Sequence, residues 1–251
     1  MPAQFVTFER VTKRYGAAAA VDEVSVGAAA GAFVALVGTS GSGKSTLLKT
    51  INRLVVPDTG HVLLDGSDVA EEPAPALRRR IGYVFQDVGL FPHLTVAENI
   101  ELPLRLDGIP PPGRMEELLD LVELPRELAG RMPAALSGGQ RQRIGVARAL
   151  ARGAKLLLMD EPFGALDPVT RDALGSRIRA LHHDLGLTTI MVTHDMAEAL
   201  LLATRVLVMQ AGRIVADATP AQLLAGEGGD AAQALVAVPR EQARRLAEIG
   251  R

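Results

Sequence analysis

The sequence predicts an α/β fold with a largely parallel sheet. Short runs rich in Val, Ile and Leu recur along the chain, and amphipathic helical patterns separate them. Two of these runs, within AKLLLMD and TTIMVTHD, are continuously apolar, as is typical of parallel strands that are covered on both faces. A glycine-rich loop lies between a strand and a helix at residues 38–46, an arrangement that is typical of phosphate-binding α/β proteins.

The elements follow from these patterns in chain order. FVTFERVTKRY and VDEVSV are predicted to be early strands joined by the turn GAAAA. AFVALVG is a buried strand, and STLLKTINRL is the helix after the glycine loop. HVLLDG and IGYVFQ are further strands, and RVLVMQAGRIV is a hairpin that turns at Ala211 and Gly212. A short amphipathic helix is predicted from Pro239.

A helical segment interrupts the strand pattern. Residues 96–152 contain helical patterns and prolines but no convincing strand, which predicts an inserted helical subdomain. We therefore expect one main domain over residues 1–240. Its core comprises about residues 1–95 and 153–225, and a short C-terminal tail covers 226–251.

Composition excludes several classes of protein. Of the 251 residues 48% are hydrophobic, which is enough for a buried core. The absence of cysteine excludes disulfides, thiol catalysis and cysteine-ligated metals, and the net charge of −2 offers no basic field to a nucleic acid. The charged N-terminus shows no export signal, and the uncharged residues 24–43 are interpreted as a turn, a strand and a loop rather than a membrane span.

The glycine loop, GTSGSGKST, contains the phosphate-loop pattern G-x-x-x-x-G-K-[ST]. Its glycines let successive backbone N–H groups turn toward an anion, and the following helix start adds positive potential. Lys44 is expected to reach the outer phosphates, and Ser45 to offer its hydroxyl to Mg²⁺. The predicted phosphate-binding residues are Gly38, Thr39, Ser40, Gly41, Ser42, Gly43, Lys44, Ser45 and Thr46.

Two carboxylates follow the buried run in LLLMDE. Ligands of open α/β sheets bind at the carboxyl ends of the strands, which is where Asp160 and Glu161 lie. Asp160 is predicted to hold Mg²⁺, mostly through water, because that ion dehydrates reluctantly. Glu161 is predicted to be the general base for an attacking water.

Two other strand ends carry polar side chains. His194 follows TTIMVTHD and is expected at the same edge as Asp160, where it could contact a terminal phosphate; a histidine without a role is the alternative. Gln86 ends IGYVFQ, and its amide could bind Mg²⁺ or water. The four remaining histidines are interpreted as surface residues.

The loop after Gln86 contains three apolar residues, Leu90, Phe91 and Leu94, beside a glycine and a proline. They could form a docking surface, or they could fold back onto the core. Fifty residues after Gln86, LSGGQ at residues 136–140 resembles a second anion-binding helix start.

Taken together, GTSGSGKST, Gln86, LSGGQ, LLLMDEP, the ALD at residues 165–167 and His194 occur in the order found in the ATPase subunits of ABC transporters. The chain resembles that family over about residues 5–225. The resemblance implies an α/β P-loop NTPase fold of the ABC ATPase type. A fold of this type has a mostly parallel central sheet, an antiparallel β subdomain and an inserted helical subdomain. The resemblance also implies ATP and Mg²⁺ as cofactors.

The resemblance also implies a head-to-tail dimer, a homodimer by expectation. Each ATP lies between the phosphate loop of one subunit and the LSGGQ helix start of the other. By this resemblance Tyr15 stacks on adenine, and Asp167 belongs to the family's D-loop. The implied signature contacts are Ser137, Gly138, Gly139 and Gln140, and the implied catalytic residues are Lys44, Gln86, Glu161 and His194.

A finer resemblance is to importers of glycine betaine, carnitine and choline. It is carried by INRLVVPDTG, LRRRIGYVFQDVGLFPHLTVAENI and MDEPFGALDPVTRDAL. It implies a transmembrane permease as partner, indirectly a solute-binding protein, and a place on the cytoplasmic face of the membrane. Several relatives carry regulatory CBS modules after the ATPase, and we expect none in this sequence.

Two alternatives remain open: an importer of another small solute, or a soluble ABC-type ATPase without a transport role. The second would act on DNA or ribosomes. Neither a long coiled-coil interruption nor a second ATPase domain is present in the sequence, and its charge does not favour a nucleic acid.

Overall fold

The computed structural model describes residues 4–108, 114–164 and 166–249. The strands are β1 (Gln4–Tyr15), β2 (Ala18–Ala29), β3 (Phe33–Val37), β4 (Thr59–Leu64), β5 (Ser67–Asp68), β6 (Ile81–Val84), β7 (Leu156–Asp160), β8 (Thr188–Val192), β9 (Arg205–Gln210) and β10 (Arg213–Ala218). The helices are α1 (Lys44–Ile51), α2 (Ala74–Arg79), α3 (Val96–Leu106), α4 (Arg114–Leu121), α5 (Gly138–Leu150), α6 (Pro168–Asp184), α7 (Met196–Leu202), α8 (Pro220–Leu224) and α9 (Gly229–Ile249). Short 3₁₀ helices lie at Arg126–Gly130 and Pro133–Ala135.

The chain divides into two units. The first contains residues 1–72 and 190–251, and the second contains residues 73–189. Strand β8 begins in the second unit and ends in the first. Across the described residues, no helix combines the length and the apolar character needed to cross a membrane.

The first unit contains a four-stranded antiparallel sheet in the order β2-β1-β4-β5. Pairing between β1 and β2 continues to Tyr15 opposite Ala18, so the connecting turn has two residues, Gly16 and Ala17. The predicted turn GAAAA is therefore wrong in its extent. Alanine is a weak strand former, but here Ala18 and Ala19 are drawn into the ladder by the register of β1.

The same unit contains a mixed set of strands around β3. Strand β3 is fully buried and runs parallel to β9, which pairs with β10 in an antiparallel hairpin. The hairpin turns at Ala211 and Gly212, whose φ angles of 46° and 81° suit a two-residue turn between twisted strands. The predicted hairpin and its turn are confirmed.

Helix α9 begins earlier than expected. The sequence predicted a helix from Pro239, but the helix starts at Gly229 and continues through the proline. Proline removes one helical hydrogen bond in an interior position. The segment before it still buries Ala232 and Val236 completely, and this burial of apolar surface holds the first turns of the helix in place.

The second unit contains the parallel pair β6 and β7, in which Ile81 lies opposite Leu156. Between these strands the described residues form helices and no strand. Helix α5 lies against β6 at Gly82, where a Cβ would come within 2.7 Å of Ala149 O. This close approach fixes the helix that follows LSGGQ against the strand that leads to Gln86.

Candidate functional site

The phosphate loop of the first unit connects β3 to α1. Helix α1 starts at Lys44, and its N-cap residue Gly43 provides no side-chain hydrogen bond to the first helical N–H groups. Gly43 has a φ of 104°, and a Cβ there would lie 1.8 Å from Ala20 O. At Gly38 a Cβ would lie 2.1 Å from Met209 O. Glycine is required at both positions, and the helix start is left without a side-chain cap, as an anion site needs.

Lys44 is buried within its own loop, with 5% of its surface exposed. Its ammonium donates to Gly38 O and Thr39 O, both at 2.9 Å, and lies 3.5 Å from Ser42 Oγ. A buried ammonium needs such partners, because burying a charge without them is costly. The loop carbonyls therefore hold the positive charge at the centre of the glycine cradle, where a phosphate can attract it.

Two further predicted residues lie in the first unit. Tyr15 ends β1 and is 55% exposed, with Lys13 Nζ at 5.7 Å from its ring centre. Exposed His194 follows Thr193, whose N–H donates to Leu36 O at 3.2 Å. Since Leu36 lies near the end of β3, this hydrogen bond brings the chain before His194 to the strand end where the phosphate loop begins.

The carboxylates lie in the second unit. Asp160 ends β7 with 3% exposure, and it accepts a hydrogen bond from Tyr83 Oη at 3.3 Å. Burial and the neighbouring Asp160 charge raise the pKa of Tyr83, so its hydroxyl remains a donor. Sequence reasoning missed Tyr83; the available signal was a lone tyrosine in an apolar strand that leads to Gln86.

Glu161 and Gln86 are brought together. Glu161 adopts a φ of 47°, a left-handed conformation that is uncommon for residues other than glycine. Gln86 Nε2 lies 3.5 Å from Glu161 Oε2, at the outer limit of a hydrogen bond. The expectation that Gln86 ends its strand was wrong, because β6 stops at Val84 and the chain then turns.

The proposed ligands of Mg²⁺ offer only oxygen atoms: the Ser45 hydroxyl, the Gln86 amide oxygen and the Asp160 carboxylate. The part of the chain that the structure describes contains no group of three or more His, Cys, Asp or Glu side chains suited to holding a metal. A hard ion such as Mg²⁺ is commonly bound by one or two carboxylates together with waters and phosphate oxygens. The donor chemistry therefore fits Mg²⁺ bound together with a nucleotide.

LSGGQ forms the start of α5. Ser137 is the N-cap, its Oγ accepts from Gln140 N at 3.2 Å, and Gln140 Oε1 accepts from Ser137 N at 2.9 Å. This capping box occupies the Gln140 side chain within its own helix start. Ser137 is exposed, whereas Gly139 is buried, and a Cβ there would meet Thr170 Cγ2 at 2.3 Å.

Asp167 is the N-cap of α6 and accepts from Thr170 N at 3.0 Å. Hydrogen bonds from the Thr170 hydroxyl and amide lower the pKa of Asp167. Thr170 therefore touches both the LSGGQ helix start and the residue expected in the D-loop. Ala165, which precedes Asp167 in the quoted ALD, lies outside the described residues.

The apolar loop after Gln86 borders a groove of about 430 Å³ in the second unit. Leu90 and Leu94 are partly buried, which matches the alternative of folding back. Phe91 and Phe85 remain 43% and 44% exposed and line the groove. The interpretation of all four remaining histidines as surface residues was wrong for His182, which is partly buried against Thr189 with Nδ1 at 2.9 Å from Oγ1.

Known proteins are similar to this chain in sequence. The glycine betaine/carnitine/choline transport ATP-binding protein OpuCA of Bacillus subtilis is 48% identical over 86% of this chain. The match spans 58% of that protein, so the chain corresponds to little more than half of its length. The sulfate/thiosulfate import ATP-binding protein CysA of Thermosynechococcus vestitus is 47% identical over 87% of this chain and 65% of its own.

Solved structures share the fold. A subunit of the cbiONQ ABC transporter complex of Clostridium perfringens superposes with a TM-score of 0.84 at 27% identity, covering 98% of this chain and 97% of its own. A bacterial ABC transporter cassette that was solved as a dimer superposes with a TM-score of 0.78 at 34% identity, covering 86% of this chain and 98% of its own. The predicted ABC ATPase fold class is confirmed. Residues 21–164 match the ABC transporter family, and the chain belongs to that family.

Proposed function

We propose that this chain is the ATP-hydrolysing subunit of an ABC importer and works as a head-to-tail dimer. The observation that carries the proposal is the glycine cradle around Lys44, placed between a buried strand and a helix start that has no side-chain cap. Together with the LSGGQ helix start and the family membership, this cradle supports ATP as the nucleotide.

The first unit would bind the nucleotide. Backbone N–H groups of the phosphate loop and the start of α1 surround the phosphates, and Lys44 exchanges its loop carbonyls for phosphate oxygens. Ser45, with Asp160 and Gln86, would hold Mg²⁺, which neutralises phosphate charge when it is bound. Tyr15 offers an exposed ring on which adenine can stack.

Glu161 would accept a proton from the attacking water. A positioned base typically contributes about 10²–10⁴ in rate. Gln86 lies beside Glu161 and orients the water, while His194 donates to the terminal phosphate. Tyr83 keeps the buried Asp160 carboxylate oriented through its hydroxyl.

LSGGQ would act on the nucleotide of the partner subunit. Ser137 is exposed at a helix start, so its hydroxyl and the adjacent N–H groups can meet a phosphate from outside the subunit. Gly138, Gly139 and the Asp167 cap shape the same surface. Gln140 supports the helix start rather than reaching outward, because its side chain completes the capping box.

The permease would dock at the apolar groove beside Phe85 and Phe91. Exposed aromatic side chains in a groove suit an apolar segment of a partner better than they suit water. Docking there places the ATPase at the cytoplasmic face of the membrane, with a solute-binding protein as an indirect partner.

A quaternary-ammonium osmoprotectant is the proposed solute, because the similar protein OpuCA is a glycine betaine/carnitine/choline transport ATP-binding protein. Sulfate is a specific second candidate, since CysA is nearly as similar at 47% identity. Sequence similarity in this subunit separates the two candidates weakly, because the residues that touch solute belong to other subunits.

The experiment is uptake by the chain reconstituted with its permease and binding protein in ATP-loaded vesicles. We expect transport of glycine betaine, choline or carnitine, and none of sulfate. Glu161→Gln should reduce both ATP hydrolysis and uptake at least about a hundredfold while ATP binding persists. Transport of sulfate alone would replace the solute assignment, and uptake that persists in Glu161→Gln would overturn the catalytic one.

A further inference from the structure

The turn after Gln86 is held by an arginine of helix α5. Arg148 Nη2 donates to Val88 O at 2.6 Å, and its Nη1 donates to Gly89 O at 2.7 Å. Val88 and Gly89 both adopt left-handed conformations, with φ angles of 54° and 58°. Because a β-branched residue rarely adopts this conformation, the turn needs support from outside itself.

The chemistry of Arg148 suits this support. A guanidinium presents its donors in a rigid planar fork, so one side chain can serve two successive carbonyls. Burial lowers the pKa of Arg148, and the two carbonyls accept hydrogen bonds from its partly buried guanidinium. Removing the side chain would leave two backbone acceptors without these partners.

Helix α5 touches the same turn at a second point. Gly145 lies three residues before Arg148, and a Cβ there would come within 2.8 Å of Val88 Cγ1. A valine methyl is attached directly to a branched, stiff side chain and has little room to move. Glycine at position 145 therefore lets the helix and the turn fit together closely.

We propose that Arg148 is a positioning residue that fixes Gln86 by clamping the following turn to the helix that begins beside Ser137. The inference rests on the proposed function, which gives Gln86 and Ser137 their roles. Helix α5 rises about 15 Å from Gly138 to Arg148 at 1.5 Å per residue. Gly89 and Arg148 both line the proposed docking groove, so a partner in that groove would contact the clamp directly.

The kinetic test is Arg148→Ala in the complex with its permease. We expect kcat for ATP hydrolysis to fall about ten- to hundredfold, as for a displaced catalytic group, and the KM for ATP to change less than about twofold. Arg148→Lys keeps the charge but not the fork, and it should give an intermediate kcat.

Arg143, on the same helix, offers a matched control. Its guanidinium donates to Val122 O at 3.0 Å and to Glu123 Oε2 at 3.4 Å, and these partners belong neither to the docking groove nor to the turn at Val88. Arg143→Ala should lower stability like Arg148→Ala but leave kcat within about twofold of the wild type. Equal losses of kcat in the two variants would show a general structural effect and overturn the proposal.

A steric test reaches the same turn without touching Arg148. Gly145→Ala should lower kcat because its new Cβ displaces Val88. Adding Val88→Ala removes the clashing methyl group, so the double variant should recover most of the lost kcat. Failure of the rescue, with both variants folded, would contradict direct contact as the cause.

Hydrogen–deuterium exchange of the isolated chain separates this inference from the proposed function. Amides of residues 85–91 should exchange about tenfold faster in Arg148→Ala than in Arg143→Ala, whereas phosphate-loop amides should be unchanged. If the wild-type complex hydrolyses no ATP, the proposed function fails, but the exchange measurement still tests whether Arg148 holds the turn after Gln86. Unchanged exchange at residues 85–91 would overturn it.

Discussion

At the scale of single residues, the phosphate loop depends on backbone shapes that only glycine provides easily. The motif predicted which residues form the cradle, because the spacing of its glycines and lysine, and its place between a strand and a helix, can be recognised in the sequence. The pattern could not predict that Lys44 turns its ammonium into the loop carbonyls. That choice follows from burial, which is a property of the folded chain.

Two glycines of this loop provide a matched pair of substitutions. Gly41 has a φ of 77° and open space where a Cβ would lie, so Gly41→Ala should cost only the left-handed penalty, about 1–2 kcal/mol. Gly43→Ala adds a contact of 1.8 Å with Ala20 O, which moves the backbone. We expect a larger fall in the urea midpoint and in ATP affinity for Gly43→Ala. Equal effects would contradict the steric account.

Other residues show where sequence reasoning stops. The register of β6 beside β7 is not visible in the sequence, and neither the Tyr83 hydrogen bond to Asp160 nor the early end of β6 could be read from it. The sequence assigns His182 to the surface because it lies at no strand end, and it does not reveal that Thr189 lies beside the ring. These contacts join segments that are distant along the sequence or depend on the exact ends of elements.

At the scale of elements, two helix starts of the second unit use the same capping box. Ser137 pairs with Gln140 at α5, and Thr95 pairs with Glu98 at α3. A capping box at Ser137 is consistent with the sequence pattern, because a serine followed three residues later by a glutamine is typical of this motif. Helix α9 was harder to predict, because Pro239 normally indicates a helix start and only burial of Ala232 and Val236 extends the helix before it.

The two boxes separate capping from catalysis. Ser137→Ala and Thr95→Ala should each reduce the free energy of unfolding by about 1 kcal/mol, because each removes an N-cap acceptor. Only Ser137→Ala should also reduce ATP hydrolysis, since Ser137 is proposed to meet the partner's nucleotide. Urea unfolding and steady-state hydrolysis measure the two effects. Equal loss of hydrolysis in both variants would argue against a role of LSGGQ beyond capping.

The charge of Glu98 should make the stability of the folded protein depend on pH. Hydrogen bonds from the amide and hydroxyl of Thr95 lower the pKa of Glu98 below its ordinary value of 4.5. A depressed pKa means that the ionised form stabilises the folded state above that value, and this contribution is lost as the pH falls through the folded pKa. Glu98→Gln keeps a capping side chain without charge. Its stability deficit relative to wild type should be present at neutral pH and shrink in acid; a deficit that does not change with pH would contradict this origin.

At the scale of the whole molecule, the phosphate loop belongs to one unit, and the LSGGQ helix start and the carboxylates belong to the other. The order of motifs predicted the family and the fold class, which the similar sequences and solved structures confirm. Assembly is a property of two chains, so it stays a prediction. Ser137 is the exposed N-cap of α5, and the proposed site includes a partner subunit because Ser137 is proposed to contact the partner's nucleotide.

Mixing two inactive variants tests that assembly most directly. Lys44→Ala disables the phosphate loop and Ser137→Arg disables the signature, so either variant alone should hydrolyse little ATP. A mixed dimer contains one site in which an intact loop faces an intact signature, and we expect clear recovery of ATP hydrolysis on mixing. Lys44→Ala mixed with the double variant supplies the control, because no pairing restores a site. Recovery of ATP hydrolysis in the first mixture but not in the control mixture would support the cross-subunit site. Absence of recovery in the first mixture, from two variants that fold and associate, would contradict it.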